Sequence, residues 1–147
     1  MKGLTVTFFG HKDAPKEIES ALRLTLMDLI ENKNANVFYV GNHGNFDTMV
    51  VRQLKNLSNT YPIKYYVVYA YMPSKNDISN EHTILPEGVE TVPRRFAINY
   101  RNKWMLDKSD IVVTYVTRNF GGAWGFEQQA AKLQKLIIKL VLFLHEI

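Results

Sequence analysis

Two adjacent glycines, Gly121 and Gly122, separate a β-branched stretch from a helix-like stretch in "TRNFGGAWGFEQQAAK". Glycine lets the backbone adopt a positive φ, and it lets a ligand approach main-chain amides closely. A helix that begins at this pair presents unpaired N–H groups, including that of Ala123, together with the positive end of its dipole. The pair therefore predicts either a phosphate-binding turn or a tight strand-to-helix turn that holds no ligand.

The loop "GHKD" repeats this arrangement after the first apolar run of the chain, with Gly10 followed by His11. An imidazole at this position could donate a hydrogen bond to a phosphate or a sugar. The alternative is a plain turn in which His11 is solvated and Asp13 caps the following helix.

A third loop, "GNHGNFD", concentrates polar groups between a strand and a helix. Asn42, His43 and Asp47 are candidates for contact with a ribose or a base, and Gly41 allows a close approach of the chain. The alternative is structural, because Asn45 suits a helix cap and a carboxylate is favourable in a first helical turn.

Basic side chains cluster in "RRFAINYRNK", residues 94–103. Arg101 and Met105 are four residues apart and share one helix face. An arginine fork at this face could hold a phosphate, whereas the alternative is a solvated basic surface. Tyr100 and Trp104 are interpreted as core residues, and the alternative is that they form a base-stacking surface.

Glu127 falls in the second turn of a helix that begins at the glycine pair. A carboxylate there could support the positive charge that develops on a sugar ring during glycosidic cleavage, although an ordinary helix glutamate is the alternative. No G-x-S-x-G is present and cysteine is absent, so nucleophilic Ser or Cys catalysis has no support. We expect no metal and no cofactor, because ligands with metal-binding spacing are few.

Apolar periodicity places these loops between alternating strands and helices. The predicted strands are residues 4–9, 36–40, 63–72, 111–116 and 136–144, and the predicted helices are 11–32, 45–61, 96–110 and 123–135. The alternation predicts an α/β fold, a single Rossmann-like domain over residues 1–147 with three layers and a five-stranded, mainly parallel sheet. The strand order 3-2-1-4-5 would bring the glycine loops together at one edge. The sequence does not assign a role to the irregular stretch 73–93, for which a lid and a partner surface are the two alternatives.

Composition restricts the class of protein. The chain has 147 residues, no cysteine and a net charge of +4. No run reaches the roughly 18 apolar residues that a membrane span needs. We therefore expect a cytoplasmic protein without a membrane segment, and the mild charge favours a small anionic partner over nucleic acid.

The segment "YRNKWMLDKSDIVVTYV…FGGAWGFEQ" resembles the SLOG superfamily, the Rossmann-like group that includes the LOG phosphoribohydrolases and DprA-like domains. LOG enzymes carry R-K-x-x-M-x-x-x-x-D, then a strand and P-G-G-x-G-T-x-x-E. Arg101, Met105 and Asp110 keep the first spacing, and Gly121 and Gly122 match the glycine pair. The opening "TVTFFGHKD" and "YVGNHGNFD" look like an uncharacterised bacterial and phage branch of this superfamily.

The chain also departs from the LOG pattern. Asn102 stands in place of the lysine, Phe120 in place of the proline, and Glu127 is one residue out of step. The resemblance therefore implies binding of a nucleotide or nucleotide-derived ligand more strongly than it implies catalysis. It leaves two alternatives, a phosphoribohydrolase using Arg101 and Glu127, and a single-stranded nucleic-acid binder like the DprA relatives. It also implies a homodimer.

Overall fold

The computed structural model describes residues 2–72 and 82–142. In these ranges the strands are β1 (Leu4–Gly10), β2 (Ala35–Val40), β3 (Lys64–Val68), β4 (Thr83–Ile84), β5 (Ile111–Tyr115) and β6 (Leu136–Lys139). The α-helices are α1 (Glu19–Asn32), α2 (Asn45–Leu57), α3 (Ala97–Asp107) and α4 (Gly122–Lys132), and 3₁₀ turns occupy Lys16–Ile18, Val89–Thr91 and Arg94–Phe96. Within this part of the chain, no helix combines the length and the apolarity that a membrane crossing requires.

The strands form one sheet in the order β4-β3-β2-β1-β5-β6, and every neighbouring pair is parallel. The prediction of five strands is wrong, because the residues that the structure describes already form six. The additional strand, β4, is two residues long and pairs with Val67 and Val68 of β3. So short a strand carries no periodic signal. The other five strands have the predicted order.

Two predicted segments extend beyond the described residues. Residues 73–81 of the stretch that was predicted to be irregular lie outside them, and so do residues 143–147, which include the end of the predicted last strand. The described remainder of the irregular stretch contains β4 and the 3₁₀ turn Val89–Thr91.

The sheet is covered on both faces because successive side chains of β1 point to opposite sides. Val6 and Phe8 pack with the buried faces of α1 and α2, while Phe9 packs with those of α3 and α4. The rings of Phe8 and Phe38 lie 6.3 Å apart on the first face. The result is the predicted three-layer arrangement.

The helix starts differ from the predicted ones. Neither Asp13 nor Asn45 acts as a cap: α1 follows a 3₁₀ turn that begins after Pro15, and α2 is preceded by Gly44. Gly44 has φ 93° and ψ −178°, and Gly121, which precedes α4, has φ 90° and ψ 176°. This backbone region is accessible essentially only to glycine. Two helices therefore begin from the same glycine-dependent turn.

Two glycine-to-alanine substitutions should have opposite effects on stability. A Cβ at Gly10 would overlap the ring of the fully buried Phe46, whereas a Cβ at Gly125, inside α4, would meet no atom within 4 Å. We expect Gly10→Ala to lower the free energy of unfolding by about 1–3 kcal/mol. Gly125→Ala should raise it by up to about 1 kcal/mol, because alanine is the better helix former.

Urea denaturation of the two variants beside the wild type measures both changes. Equal stability of Gly10→Ala and the wild type would contradict the close packing of Gly10 against α2.

Candidate functional site

A cavity of about 340 Å³ opens at the carboxyl ends of β1 and β5. The chain leaves β1 toward α1 on one face of the sheet and leaves β5 toward α4 on the other. Adjacent crossovers that diverge in this way leave a crevice, and open α/β sheets bind their ligands at such switch points. The volume lies within the range of small-molecule sites.

Most of the predicted site residues line this cavity. They are Gly10, His11, His43, Asp47, Arg101, Gly121, Gly122 and Ala123. Gly41 and Asn42 do not line it, although Asn42 accepts a hydrogen bond from the lining residue Arg101. A Cβ at Gly41 would approach both Arg101 Nη1 and Asp47 Oδ2 to 2.8 Å, so this position has room only for glycine.

Arg101 forms part of the cavity wall and is only 2% exposed. Its Nη1 donates to the carbonyl oxygen of Val68 (2.9 Å) and to Oδ1 of Asn42 (3.0 Å), and its Nε donates to Oδ1 of Asn102 (2.7 Å). Burial lowers the pKa of Arg101, and the neighbouring Asp47 opposes that change. A guanidinium titrates so high that Arg101 keeps its charge. The hydrogen bonds of Arg101 therefore connect the end of β3 to the loop after β2.

Asp47 lies beside this guanidinium in the first turn of α2. Its Oδ2 accepts a hydrogen bond from the main-chain N–H of His43 at 3.0 Å. Burial raises the pKa of Asp47 to about 6, although the His43 N–H and the charge of Arg101 both act to lower it. The cavity therefore contains a carboxyl group that changes its charge just below neutral pH.

His11 is 5% exposed, and its Nε2 accepts a hydrogen bond from the main-chain N–H of Thr117 at 2.9 Å. An acceptor nitrogen carries no proton, so this bond places the proton on Nδ1 and keeps the ring neutral. Burial and the nearby Arg118 also lower the pKa of His11. Within the described residues Nδ1 has no protein partner and is not sealed from solvent, so it can donate to a molecule in the cavity.

The amino end of α4 supplies main-chain donors at the same cavity. The first helical hydrogen bond runs from Gly125 N–H to the carbonyl of Gly121 (3.0 Å), and no side chain caps the helix. The N–H groups of Gly122 and Ala123 are therefore available at the positive end of the dipole. A Cβ on Gly121 or Gly122 would meet nothing within 4 Å, so the space beside these amides is open.

Sequence reasoning missed two cationic residues that line the cavity, Lys12 and Arg118. Arg118 pairs with Asp13 at 3.3 Å and lies over the ring of Phe120, 5.5 Å from its centroid. Asp13 does not cap α1, because the helical segment begins only after Pro15. The Arg118 guanidinium lowers the pKa of the Asp13 carboxyl. The available signal for Arg118 was its position in the loop between the predicted strand 111–116 and the glycine pair.

The structure does not bring Glu127 to this cavity. Glu127 is 6% exposed and lines a second cavity, beyond the ends of β5 and β6. Its Oε2 accepts a hydrogen bond from Thr114 Oγ1 at 2.5 Å, and its Oε1 lies 4.0 Å from Lys139 Nζ. The two residues of the predicted hydrolytic pair, Arg101 and Glu127, therefore line different cavities.

Metal coordination has no evident location. Across residues 2–72 and 82–142, no group of three or more histidine, aspartate or glutamate side chains is arranged so that it could hold a metal ion.

The fold is similar to that of two solved structures of DNA processing protein A (DprA). The Streptococcus pneumoniae protein aligns with a TM-score of 0.70 at 14% identity, over 93% of this chain and 50% of that one. The Helicobacter pylori protein, whose structure describes a single-stranded DNA binding mode, aligns with a TM-score of 0.67 at 16% identity, over 97% and 67%. This chain has a DprA-like, Rossmann-like fold.

This likeness confirms the fold that the SLOG resemblance predicted. The chain spans half the length of the S. pneumoniae protein. No protein-family model matches the sequence, and no curated protein does either.

Asp47 should make stability depend on pH. Its pKa in the folded protein, about 6, exceeds the ordinary value of 3.8, so the folded state binds this proton more tightly than the unfolded chain does. The stabilisation that this proton provides is complete below pH 3.8, and it is lost as the pH rises through about 6. We expect the free energy of unfolding of the wild type, minus that of Asp47→Asn, to fall by about 2 kcal/mol between about pH 4 and about pH 7.

Urea denaturation across this pH range measures the difference, in which the contributions of other titrating groups cancel. A difference that stays constant would contradict the shifted pKa of Asp47.

Proposed function

We propose that this protein binds a nucleotide or nucleotide-derived ligand, with its phosphate at the amino end of α4. The observation that carries the proposal is the open N-terminus of this helix, where the amides of Gly122 and Ala123 adjoin the cationic side chains of Lys12 and Arg118. Unpaired main-chain donors together with the helix dipole form a favourable phosphate site. A guanidinium adds charge-assisted hydrogen bonds.

Other groups in the cavity suit the rest of such a ligand. His11 offers its Nδ1–H as a neutral donor, and the Asp47 carboxylate can accept a hydrogen bond from a sugar hydroxyl. Arg101 uses its Nη1 and Nε on protein acceptors, so we assign it the role of holding the loop of Asn42 and Asp47 in place.

A methyl group added at Gly122 should separate ligand binding from folding. A Cβ there meets no protein atom, so Gly122→Ala should fold as well as the wild type. The added methyl would occupy the space through which a phosphate approaches the amides. We expect the affinity for nucleoside monophosphates to fall at least about tenfold, measured by isothermal titration calorimetry.

Gly125→Ala is the matched control, because Gly125 lies on the same helix but does not line this cavity. Its affinity should equal that of the wild type. The proposal fails if nucleosides bind as tightly as their monophosphates, or if Gly122→Ala binds with unchanged affinity.

The phosphoribohydrolase alternative gains no support from the geometry, because Nε and Nη1 of Arg101 donate to protein acceptors and Oε2 of Glu127 accepts a hydrogen bond from Thr114. It has a direct assay, which is the release of free base from nucleoside monophosphates. Release that is abolished by Glu127→Gln would establish it.

A second candidate function is binding of single-stranded nucleic acid. The DprA-like fold favours it, since the H. pylori protein binds single-stranded DNA. Exposed aromatic rings also lie beside guanidinium groups: Phe120 is 63% exposed beneath Arg118, and Phe96 is 48% exposed with Arg95 at 4.8 Å. Such rings can stack on bases while the cations contact phosphates.

If this candidate is correct, affinity for a labelled oligodeoxythymidylate should fall steeply with salt, because phosphate contacts release counterions. Phe120→Ala should weaken binding by about 1–3 kcal/mol through the loss of one stacking platform. Leu24→Ala is the control, since Leu24 is also a highly exposed apolar residue but lies on α1. Fluorescence anisotropy measures both variants, and an absence of binding at low salt removes this candidate.

A further inference from the structure

The second cavity, of about 490 Å³, is an open crevice beyond the carboxyl ends of β5 and β6. Trp124, Glu127 and Gln128 line it from α4, and Lys139 lines it from the end of β6. Residues three and four apart lie on the same face of a helix, so the indole, the carboxylate and the amide of α4 face the crevice together.

Hydrogen bonds within the described residues satisfy only one oxygen of the Glu127 carboxylate. Its residue is 6% exposed, and Oε2 is held by the hydroxyl of the fully buried Thr114 at 2.5 Å. Oε1 accepts no hydrogen bond within the described residues and is not sealed from solvent. The hydroxyl therefore fixes the orientation of the carboxylate, and one oxygen is presented to the crevice.

The ion pair with Lys139 does not account for burial of this carboxylate. The Nζ of Lys139 is 4.0 Å from Oε1, beyond hydrogen-bond distance, and the lysine side chain is 68% exposed. Exposed pairs of this kind contribute little to stability, while withdrawing a carboxylate from water is costly. An incoming donor would compensate that cost better than the lysine does.

We propose that this crevice binds the base of the nucleotide whose phosphate occupies the first cavity, and that it selects guanine. The inference rests on the proposed nucleotide-binding function. Guanine offers two adjacent N–H donors, N1–H and the exocyclic amine, which Oε1 of Glu127 can accept. Its O6 can accept from Lys139, and the ring can stack on Trp124. Adenine lacks a proton at N1 and cannot satisfy the carboxylate in the same way.

The two cavities share one lining residue and are both lined by the helix α4. Arg118 lines each of them, between the phosphate site and the crevice. Gly122 and Glu127 are five residues apart on α4, which corresponds to about 7.5 Å along the helix axis. A nucleotide is long enough to cover this axial distance between its phosphate and its base.

Four ligands test this inference by calorimetry: GMP, IMP, AMP and ribose 5-phosphate, which lacks a base. The wild type should bind GMP most tightly, IMP less tightly because it lacks the exocyclic amine, and AMP and ribose 5-phosphate weakest. Glu127→Gln keeps the size of the side chain but loses its charge, and should lower GMP affinity at least about tenfold. Its affinity for ribose 5-phosphate should not change.

Two further variants make the result unambiguous. Lys139→Met changes a side chain that is 68% exposed, and should reduce the preference for GMP over AMP. Glu31→Gln, at the far end of α1, makes the same chemical change as Glu127→Gln and should bind GMP like the wild type.

Equal affinity for GMP and AMP, or an equal loss of GMP and ribose 5-phosphate binding in Glu127→Gln, would overturn the guanine site. If ribose 5-phosphate binds and the base adds nothing, the phosphate site stands and only the crevice inference fails. If none of the four ligands binds, both fail.

Discussion

The buried guanidinium of Arg101 is the interaction on which the ligand-facing edge of the sheet depends. It bonds to the last residue of β3 and to Asn42 after β2, and it lies beside Asp47 of α2. Without it, the carbonyl of Val68 would lose a buried partner and Asp47 would lose its neighbouring positive charge. Removing one partner from such a buried network costs more than the network contributes when it is complete.

This constraint explains why main-chain groups, rather than side chains, are the best candidates for the phosphate site. Two nitrogens of Arg101 donate hydrogen bonds to protein oxygens, and Arg118 forms an ion pair with Asp13. The amides of Gly122 and Ala123 have no such competitor. A helix that begins with glycine provides these donors without a side chain to cover them.

The sequence predicted the elements better than their contacts. Alternating strands and helices and the glycine turn at Gly121 follow from local periodicity and local backbone preference, and the structure has both. The order of the five strands was taken from the Rossmann-like fold class, and the structure has that order too. The two-residue strand β4 was not predicted, and the cap role assigned to Asp13 was wrong. β4 forms only by pairing with the separate strand β3, and the first helical segment begins with a 3₁₀ turn after Pro15 rather than at Asp13.

The sequence by itself therefore determined which loops carry glycine and polar groups and that they leave one edge of a parallel sheet. Only the tertiary structure decided that Lys12 and Arg118 join the first cavity and that Glu127 lines a different one. The physical reason is that these contacts join segments that are distant in the sequence. Spacing along α4 shows which helix face Glu127 shares, but its partners Thr114 and Lys139 lie on separate strands that meet only when β5 and β6 pair.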